Sequence, residues 1–266
     1  MRWTVVPLVV LMVWTIGDVH GQGFRVDTIK EQQPWFQKEL YTFPVIRMTG
    51  HEEVARRIHH DLCLDFLNVD IDTLRGSLFA GLWGDSSVAP ARWPNLYTLS
   101  WSCRSSVPSL LTVELSGEWC GAYCEEFTTH YTYDLRSGER LTFDSLFTPA
   151  GGAVVNDTLN ARWRRIVNEQ LRILKDSLTA GDLTLEEQDW YLDAVQLYRS
   201  CLEERPEEHP YVGDIEPMEE GMRCWIARCS AHVNRNVDDL SSVPIDLPYG
   251  WLSPYLRPGI RSLLTP

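Results

Sequence analysis

Residues 109–149 read SLLTVELSGEWCGAYCEEFTTHYTYDLRSGERLTFDSLFTP. Apolar and polar residues alternate across positions 111–116, which is the period of two typical of a half-buried β-strand. A second run, residues 127–133, is rich in aromatic and β-branched residues and also favours a strand. The Ser137-Gly138 pair then supplies a tight turn, because glycine adopts positive φ without steric penalty.

The segments before this stretch add further strands and one helix. Residues 96–105 alternate in the same way, so three consecutive strands are expected to form an antiparallel meander. Two extended runs occupy much of residues 22–49. Residues 51–67 predict a helix, because apolar residues recur at every fourth position from Val54.

Two helices are predicted after the stretch. Residues 156–178 carry an apolar face at helical spacing and are followed by Gly181, a common helix terminator. Thr184 is a suitable N-cap, and Glu187 three residues later completes a capping box. The helix that it opens should run to about Cys201.

The remainder of the chain predicts a loop, a strand and a short helix. Residues 203–220 are acidic and contain three prolines, which indicates an exposed loop. Residues 221–233 favour a strand, and a helix near residues 249–255 should stop at Pro258-Gly259. We therefore predict an α+β fold, with an antiparallel sheet (the meander plus later strands) packed with helices and stabilised by disulfides.

The N-terminal 21 residues resemble a secretory signal peptide. Arg2 gives a positive start, residues 5–14 are apolar, and Val19-His20-Gly21 offers small residues at a cleavage site before Gln22. The apolar run is shorter than a typical transmembrane helix. The alternative is that the segment is not cleaved and remains as a membrane anchor. We expect a secreted or periplasmic protein with no membrane span after cleavage and one domain over residues 22–266.

The amino-acid composition and the net charge narrow the classes of molecule that this protein can bind. The chain has 266 residues, is 44% hydrophobic and contains 11 Trp, so it can bury a substantial core. Its formal net charge of −13 argues against nucleic acid, because phosphate contacts require Lys and Arg. A cationic partner is compatible with this charge but is not required by it.

Seven cysteines follow the leader, and export makes them disulfide candidates before metal ligands. The odd number leaves at least one thiol unpaired or available to another chain. A local bridge between Cys120 and Cys124 would pin the connection at Gly121-Ala122. The other pairings expected from topology are Cys201 with Cys224 or Cys229, and Cys63 with Cys103.

The sequence offers no constellation for nucleophilic or metal-assisted catalysis. It contains neither a G-x-S-x-G elbow nor an H-E-x-x-H helix. Glu125 and Glu126 are adjacent in a predicted strand and face opposite ways, so they cannot act together on one substrate atom. His130 could be grouped with Cys120 and Cys124, but their C-x₃-C spacing differs from common zinc sites. We therefore predict no metal, no cofactor and no catalytic residue.

Aromatic residues in or beside loops are the candidate binding groups. Most tryptophans are expected to pack in the core. Some could instead stack on a sugar or anchor a protein interface, because aromatic residues dominate such contacts. The candidate binding residues are Trp83, Trp93, Trp119, Tyr123, Glu125 and Glu126.

Three parts of the chain together resemble a known domain. They are FPVIRMTGHEEVARRIHHDL, the stretch from Leu110 to Phe147, and VPIDLPYGWLSPYLRPG. They are similar to the extracytoplasmic domain of unknown function in RsiV-like anti-sigma factors and PdaC-like peptidoglycan deacetylases. The residues that match its central turn motif are Asp134, Ser137, Gly138, Leu141, Thr142, Phe143, Asp144, Leu146 and Phe147. Tyr123 departs from the pattern, since the family usually has His after Gly-Ala.

The resemblance implies a mixed α and β domain without established catalysis. In RsiV-like proteins this domain binds lysozyme, a cationic enzyme, and in the deacetylases it accompanies a cell-wall enzyme. The leading hypothesis is an exported, non-enzymatic binding domain for a cationic, lysozyme-like protein or for a cell-wall glycan such as peptidoglycan.

Two other functions remain open at this point. One is a cell-wall glycan hydrolase, or a module associated with a deacetylase, with Glu118, Glu125 or Glu126 as acid or base. Such a hydrolase needs two carboxyl groups about 5–9.5 Å apart across a cleft. The other is a secreted structural or inhibitory protein that works through an unpaired cysteine.

Overall fold

A six-stranded sheet forms around the central stretch. The computed structural model describes residues 23–32, 40–83, 96–120, 124–204, 212–230 and 232–264. The expectations for residues 1–21, Trp93, Tyr123 and Gly121-Ala122 lie outside these residues. The strands, in spatial order, are β1 Phe24–Gln32, β2 Leu40–Met48, β3 Leu96–Arg104, β4 Leu110–Cys120, β5 Cys124–Asp134 and β6 Arg140–Leu141.

The predicted meander is confirmed, and its longest part is a hairpin. Strands β4 and β5 pair antiparallel without a register shift, from Leu110 opposite Asp134 to Cys120 opposite Cys124. Strands β3 and β6 flank this hairpin and are antiparallel to it. The sheet as a whole is mixed, because β2 joins β3 in parallel at Tyr41 and Leu99.

One face of this sheet is apolar and is covered by the predicted helix at residues 51–67. The helix is present as α1 (Glu52–Leu62), continued by a π-helical turn at Cys63–Leu67. Its Ile58 and Leu62 are fully buried against the inward-facing side chains of the hairpin. The alternating residues of β4 therefore place apolar side chains in this core and polar side chains on the opposite face of the sheet.

A second sheet and two long helices build a second core. The sheet consists of β7 (Val212–Pro217), β8 (Gly221–Ile226) and β9 (Val243–Pro248), all antiparallel. The remaining helices are α2 (Phe143–Leu146), α3 (Pro149–Thr179), α4 (Leu185–Glu204), α5 (Tyr249–Leu252) and α6 (Pro258–Leu264). Trp163 is 2% exposed and belongs to the cluster between these elements. The predicted α+β class, with two disulfides, is thus confirmed.

The long helix α3 begins seven residues earlier than its apolar period predicts, at Pro149 instead of 156. Thr148 caps it, because its hydroxyl accepts a hydrogen bond from the Gly151 amide at 3.1 Å. Gly151 is required for close packing: a Cβ there would lie 2.5 Å from the Tyr255 carbonyl oxygen. Gly151 thus marks a tight contact between the first turn of α3 and Tyr255.

The expectation of an exposed loop at 203–220 was wrong for its second half. Residues 212–217 form β7, in which Glu216 is 1% exposed. Pairing with β8 and an ion pair to Arg104 compensate for burying this polar segment.

Three boundaries near the C-terminus also differ from their predictions. The strand expected over 221–233 ends at Ile226, and a 3₁₀ helix occupies His232–Val237. The helix expected near 249–255 is shorter, at Tyr249–Leu252. Pro258 opens α6 instead of ending a helix, since proline suits the first turn, where its missing N–H is not needed.

Two of the predicted disulfides are confirmed. Cys120 bonds Cys124 across the end of the hairpin, and Cys201 on α4 bonds Cys229 after β8. The first is a cross-strand bridge. The second joins a helix to the second sheet, over a sequence separation of 28 residues.

The predicted bridge between Cys63 and Cys103 was wrong. Both are free, as is Cys224. The Cys63 sulfur is buried in the first core and lies 3.7 Å from the His59 Nε2. Burial raises the pKa of the Cys63 and Cys224 thiols to about 12 and also raises the pKa of Cys103. These thiols are therefore protonated and poorly reactive in the folded protein.

We expect three thiols to react with a thiol reagent after unfolding without reductant, and little fast reaction in the native state. Full reduction should release all seven cysteines. A colorimetric thiol titration in guanidinium measures both values. A single reactive thiol in the unreduced, unfolded chain would contradict the pairing, because it would require a third disulfide.

None of the helices in the described ranges has both the length and the apolar character needed to cross a membrane.

Candidate functional site

Three of the predicted binding residues, Trp119, Glu125 and Glu126, lie at the tip of the β4–β5 hairpin. Trp119 lies opposite Glu125, and Glu118 lies opposite Glu126. Successive residues of a strand point to opposite faces, so these two pairs occupy different faces of the hairpin. The prediction that Glu125 and Glu126 point apart is confirmed by their burial, since Glu126 is exposed and Glu125 is not. Trp83 ends a 3₁₀ helix at Ala80–Trp83.

Trp119 and Glu125 are engaged with the rest of the protein. Trp119 is partly buried and packs against the first core. Both carboxylate oxygens of Glu125 accept hydrogen bonds from Arg228, one of them at 2.9 Å. Arg235 adds a second guanidinium at 3.6 Å. The charge of Glu125 is therefore compensated inside the protein.

Glu118 and Glu126 are different. They face each other across the open face of the hairpin, and no Lys or Arg of the described residues forms an ion pair with either. Like charges directly opposite on neighbouring strands destabilise a sheet. By contrast, Glu114 on the same face of β4 is paired with Arg104 at 3.1 Å.

Two groups of side chains come close enough to resemble metal sites, but their chemistry does not favour one. Glu118 lies within 4.8 Å of Cys120 and Cys124, whose sulfurs are joined in the disulfide. His60, Asp70 and Asp72 form the other group. There, Arg56 donates to both carboxylate oxygens of Asp72 at 3.1 Å and takes the place of a cation.

Farther along the hairpin the polar face passes beneath the second sheet. Here the Thr112 and Thr132 hydroxyls lie 3.0 Å apart, and Thr132 also donates to the Ile215 carbonyl at 2.8 Å. Arg104 reaches from β3 to the buried Glu216 at 2.8 Å. The two sheets thus meet through polar contacts, and three buried atoms at this junction have no hydrogen-bond partner: His130 Nδ1, Glu216 Oε2 and Trp225 Nε1.

His130 lies at the centre of this junction. Its side chain is 3% exposed and stacks on Trp225, with ring centroids 4.9 Å apart and planes 11° from parallel. The Nε2 atom lies 3.4 Å from a Glu114 oxygen, and Nδ1 lies 3.5 Å from an Asp214 oxygen. His130 is six residue pairs away from the Cys120–Cys124 end of the ladder, so the structure does not bring these three residues together.

A cavity of about 360 Å³ opens beside His130, between β6 and β7. One wall is formed by Asp65, Tyr131 and Arg140: the Tyr131 hydroxyl donates to Asp65 at 2.8 Å, and Arg140 reaches the same carboxylate at 3.1 Å. Asp214 and Asp144 contribute acidic groups to the opposite side.

A second tyrosine–aspartate hydrogen bond, between Tyr133 and Asp61, lies next to this wall, where Arg140 also contacts Asp61. The Tyr133 hydroxyl donates to Asp61 at 2.9 Å. Burial, together with the Asp61 charge, raises the pKa of Tyr133 well above its ordinary value. The tyrosine is therefore a fixed hydrogen-bond donor at all physiological pH values.

The sequence contained a signal for part of this cleft. Asp61 and Asp65 are four residues apart on a predicted helix, which places both on one face. Asp214 carried no comparable signal, since it lies in a segment that was expected to be a loop. The position of Asp214 depends on where β7 packs against the edge of β5.

Comparisons with known proteins identify the fold. No protein-family model matches this chain, and no curated protein does. A solved DUF3298-family protein from Bacteroides fragilis NCTC 9343 is 13% identical, over 92% of this chain and 99% of that one, with a TM-score of 0.51. Another, from Pseudomonas aeruginosa PAO1, is 15% identical over 89% and 95% of the two chains, with a TM-score of 0.48. The Bacteroides fragilis structure supports a domain of unknown function at the level of fold, and the comparisons do not show the link to RsiV-like or PdaC-like proteins.

Proposed function

We propose that the protein is an extracytoplasmic, non-enzymatic binding module whose partner is a cationic protein. The observation that carries this proposal is the Glu118–Glu126 pair. These two carboxylates face each other at the exposed hairpin tip without a basic partner in the described chain, whereas the neighbouring Glu114 and Glu125 are each held by arginine.

A basic side chain from a partner would relieve the repulsion between these carboxylates. Two like charges a few ångströms apart repel by about 1 kcal/mol in water, and more where water is excluded. A Lys or Arg between them converts that repulsion into attraction. The net charge of −13 adds long-range steering, which raises association rates at low salt.

The sequence supports the proposed partner and compartment. The resemblance to the domain of RsiV-like anti-sigma factors makes lysozyme the first partner to test. The leader-like residues 1–21 support export, and two disulfides fit an oxidising compartment such as the periplasm or the exterior.

We expect the double variant Glu118→Gln/Glu126→Gln to bind lysozyme about tenfold more weakly than the unmodified chain, or about 1.4 kcal/mol. The matched control is Glu186→Gln/Glu203→Gln, which removes the same charge from exposed positions on α4. Titration calorimetry at two salt concentrations measures both. Equal losses in the two variants, or no lysozyme binding at low salt, would refute the proposal.

A cell-wall glycan is the alternative partner, and Trp119 beside the tip is the observation that favours it. A neutral glycan would bind with little dependence on salt and would not respond to the Glu118 and Glu126 changes. It would instead lose affinity on Trp119→Ala. Peptidoglycan pull-down with these variants distinguishes the two partners.

The hydrolase alternative is less well supported by the geometry. It requires two carboxyl groups on either side of a cleft. Glu118 and Glu126 instead lie side by side on an open sheet face, and Glu125 points to the other face, towards Arg228.

A further inference from the structure

The Cys120–Cys124 disulfide closes the end of the β4–β5 ladder, and an acidic side chain lies beside it. The Glu118 carboxylate and the two sulfurs all lie within 4.8 Å of one another. Glu118 is two residues before Cys120, so both side chains project from the same face of β4. Cys124 lies directly opposite Cys120 on β5. The strand register thus brings two sulfurs and one carboxylate to a single point.

The charge at this point favours a cation. Glu126 lies opposite Glu118, and neither carboxylate forms an ion pair with a Lys or Arg in the described part of the chain. In the oxidised protein the two sulfurs do not help to hold a cation, because the thiolate is the metal ligand and a disulfide has none. Reduction of the bridge is therefore the step that would complete a set of ligands.

The tip disulfide is more open to a reductant than the other disulfide. Cys124 is exposed and Cys120 is partly exposed. In the Cys201–Cys229 bridge, by contrast, Cys201 is 5% exposed in the second core. Reduction by thiol–disulfide exchange requires a thiolate to approach one of the two sulfurs, so its rate depends on access. A reductant should therefore open the tip bridge first.

The hairpin keeps its register without this bridge. Strands β4 and β5 pair along their whole length without a shift, so the ladder itself holds Cys120 opposite Cys124. Their Cα atoms are 3.9 Å apart. The bridge spans a sequence separation of four residues, and so short a loop constrains the unfolded chain only slightly. The reduced chain should therefore stay folded, with its two thiols side by side.

We propose that reduction of the Cys120–Cys124 disulfide converts the hairpin tip into a binding site for a thiophilic divalent metal ion, with zinc as the best match. The two cysteines supply thiolates, and Glu118 supplies a carboxylate oxygen. Zinc accepts such a mixture of sulfur and oxygen ligands in a tetrahedral arrangement, with Zn–S distances of about 2.3 Å. The fourth position is left to water, and Glu126 adds a second negative charge beside the ion.

Two steps lead to the occupied site. A dithiol reductant gives two electrons and two protons to the bridge: the Cys120–Cys124 S–S bond breaks, and the reductant closes a disulfide of its own. The ion then forms two metal–sulfur bonds and displaces both thiol protons to solvent. Because the ligands must lose these protons, the affinity for the metal falls as the pH is lowered.

The first test is selective reduction of the folded, full chain with dithiothreitol, followed by alkylation and peptide mass spectrometry. We expect Cys120 and Cys124 to be alkylated about tenfold faster than Cys201 and Cys229, because of their greater exposure. If the Cys201–Cys229 bridge opens as fast as the tip bridge, or faster, the tip is not a selective redox gate and the proposal is overturned.

The second test uses Co²⁺ as a probe, because it substitutes for Zn²⁺ and its absorption spectrum reports tetrahedral thiolate coordination. The reduced chain, freed of reductant under argon, should bind Co²⁺ with a thiolate-to-cobalt charge-transfer band, and Zn²⁺ should displace it. The oxidised chain should bind about a hundredfold more weakly, since it has no thiolate at the tip. A reduced chain without the band, or an oxidised chain with the same band, overturns the proposal.

Variants identify the ligands. Glu118→Gln should bind Zn²⁺ about tenfold more weakly after reduction, or about 1.4 kcal/mol, and Cys120→Ser/Cys124→Ser should lose the charge-transfer band. The matched control is Cys103→Ser, which removes a partly exposed free thiol away from the tip and should bind normally. Glu118→Gln keeps both sulfurs, so it tests the site even if the double variant does not fold.

Equal zinc affinity in Glu118→Gln and the unmodified chain, or loss of the cobalt band in Cys103→Ser, contradicts the assigned ligands. The site shares Glu118 with the surface proposed to bind a cationic protein, but the metal measurements contain no protein partner. Failure of the partner proposal appears only in the lysozyme titrations, and failure of the metal site appears only in the cobalt and zinc titrations.

Discussion

Removal of the Cys201–Cys229 disulfide by a double change to Ala is expected to lower the free energy of unfolding by about 3.6 kcal/mol. The bridge closes a separation of 28 residues, and a cross-link of that length removes substantial entropy from the unfolded chain. It also anchors the end of α4, where Cys201 is 5% exposed in the second core. Urea denaturation without reductant, followed by tryptophan fluorescence, measures the loss.

The control for this prediction is the other disulfide. Cys120 and Cys124 are four residues apart, so the same entropy relation gives about 1.9 kcal/mol for their double change to Ala. The two variants remove the same number of sulfur atoms. If both double variants lose the same free energy of unfolding, or if the Cys120/Cys124 variant loses more, loop entropy does not explain the difference between the two disulfides.

Replacing Arg104 with Met is expected to cost about 3 kcal/mol of stability, because it leaves Glu216 buried without its cation. The Glu216 side chain is 2% exposed, and one of its oxygens already lacks a hydrogen-bond partner. Arg104 itself is half exposed, which places the expected cost at the lower end for broken buried pairs. Urea denaturation measures this cost as well.

Two further variants separate the buried pair from surface charge. Arg172→Met removes an arginine whose partners, Glu169 and Asp176, are exposed on α3, and should cost less than about 1 kcal/mol. Adding Glu216→Met to Arg104→Met should recover much of the stability, since no buried charge then remains. Similar costs for the two single arginine variants would contradict the role given to Glu216.

The hairpin could be predicted from its residues because its determinants are local. The alternation in residues 111–116 specifies one buried face whatever lies opposite, and the Ser137-Gly138 turn needs a positive φ that Gly138 adopts. Cys120 and Cys124 are close in any antiparallel hairpin with a connection of this length. These signals need no information from distant residues.

The β7 strand could not be predicted in the same way. Its acidic, proline-containing sequence is typical of a loop, and only pairing with β8 and the charge of Arg104, 112 residues away, make its burial favourable. The pairing of Cys201 with Cys229 instead of Cys224 could not be predicted from local sequence either. Cys224 lies inside β8 and is fully buried, whereas Cys229 lies beyond the end of that strand.

The sequence by itself determined the meander, helix α1, the opening of α4 and the local disulfide, because periodicity, capping and turn chemistry act over a few residues. Only the tertiary structure decided the parallel contact of β2 with β3, the burial of β7, and the meeting of Asp214 with His130 at the cleft. Those contacts depend on which distant surfaces pack together. That choice is a balance of burial, charge and chain entropy summed over the whole fold.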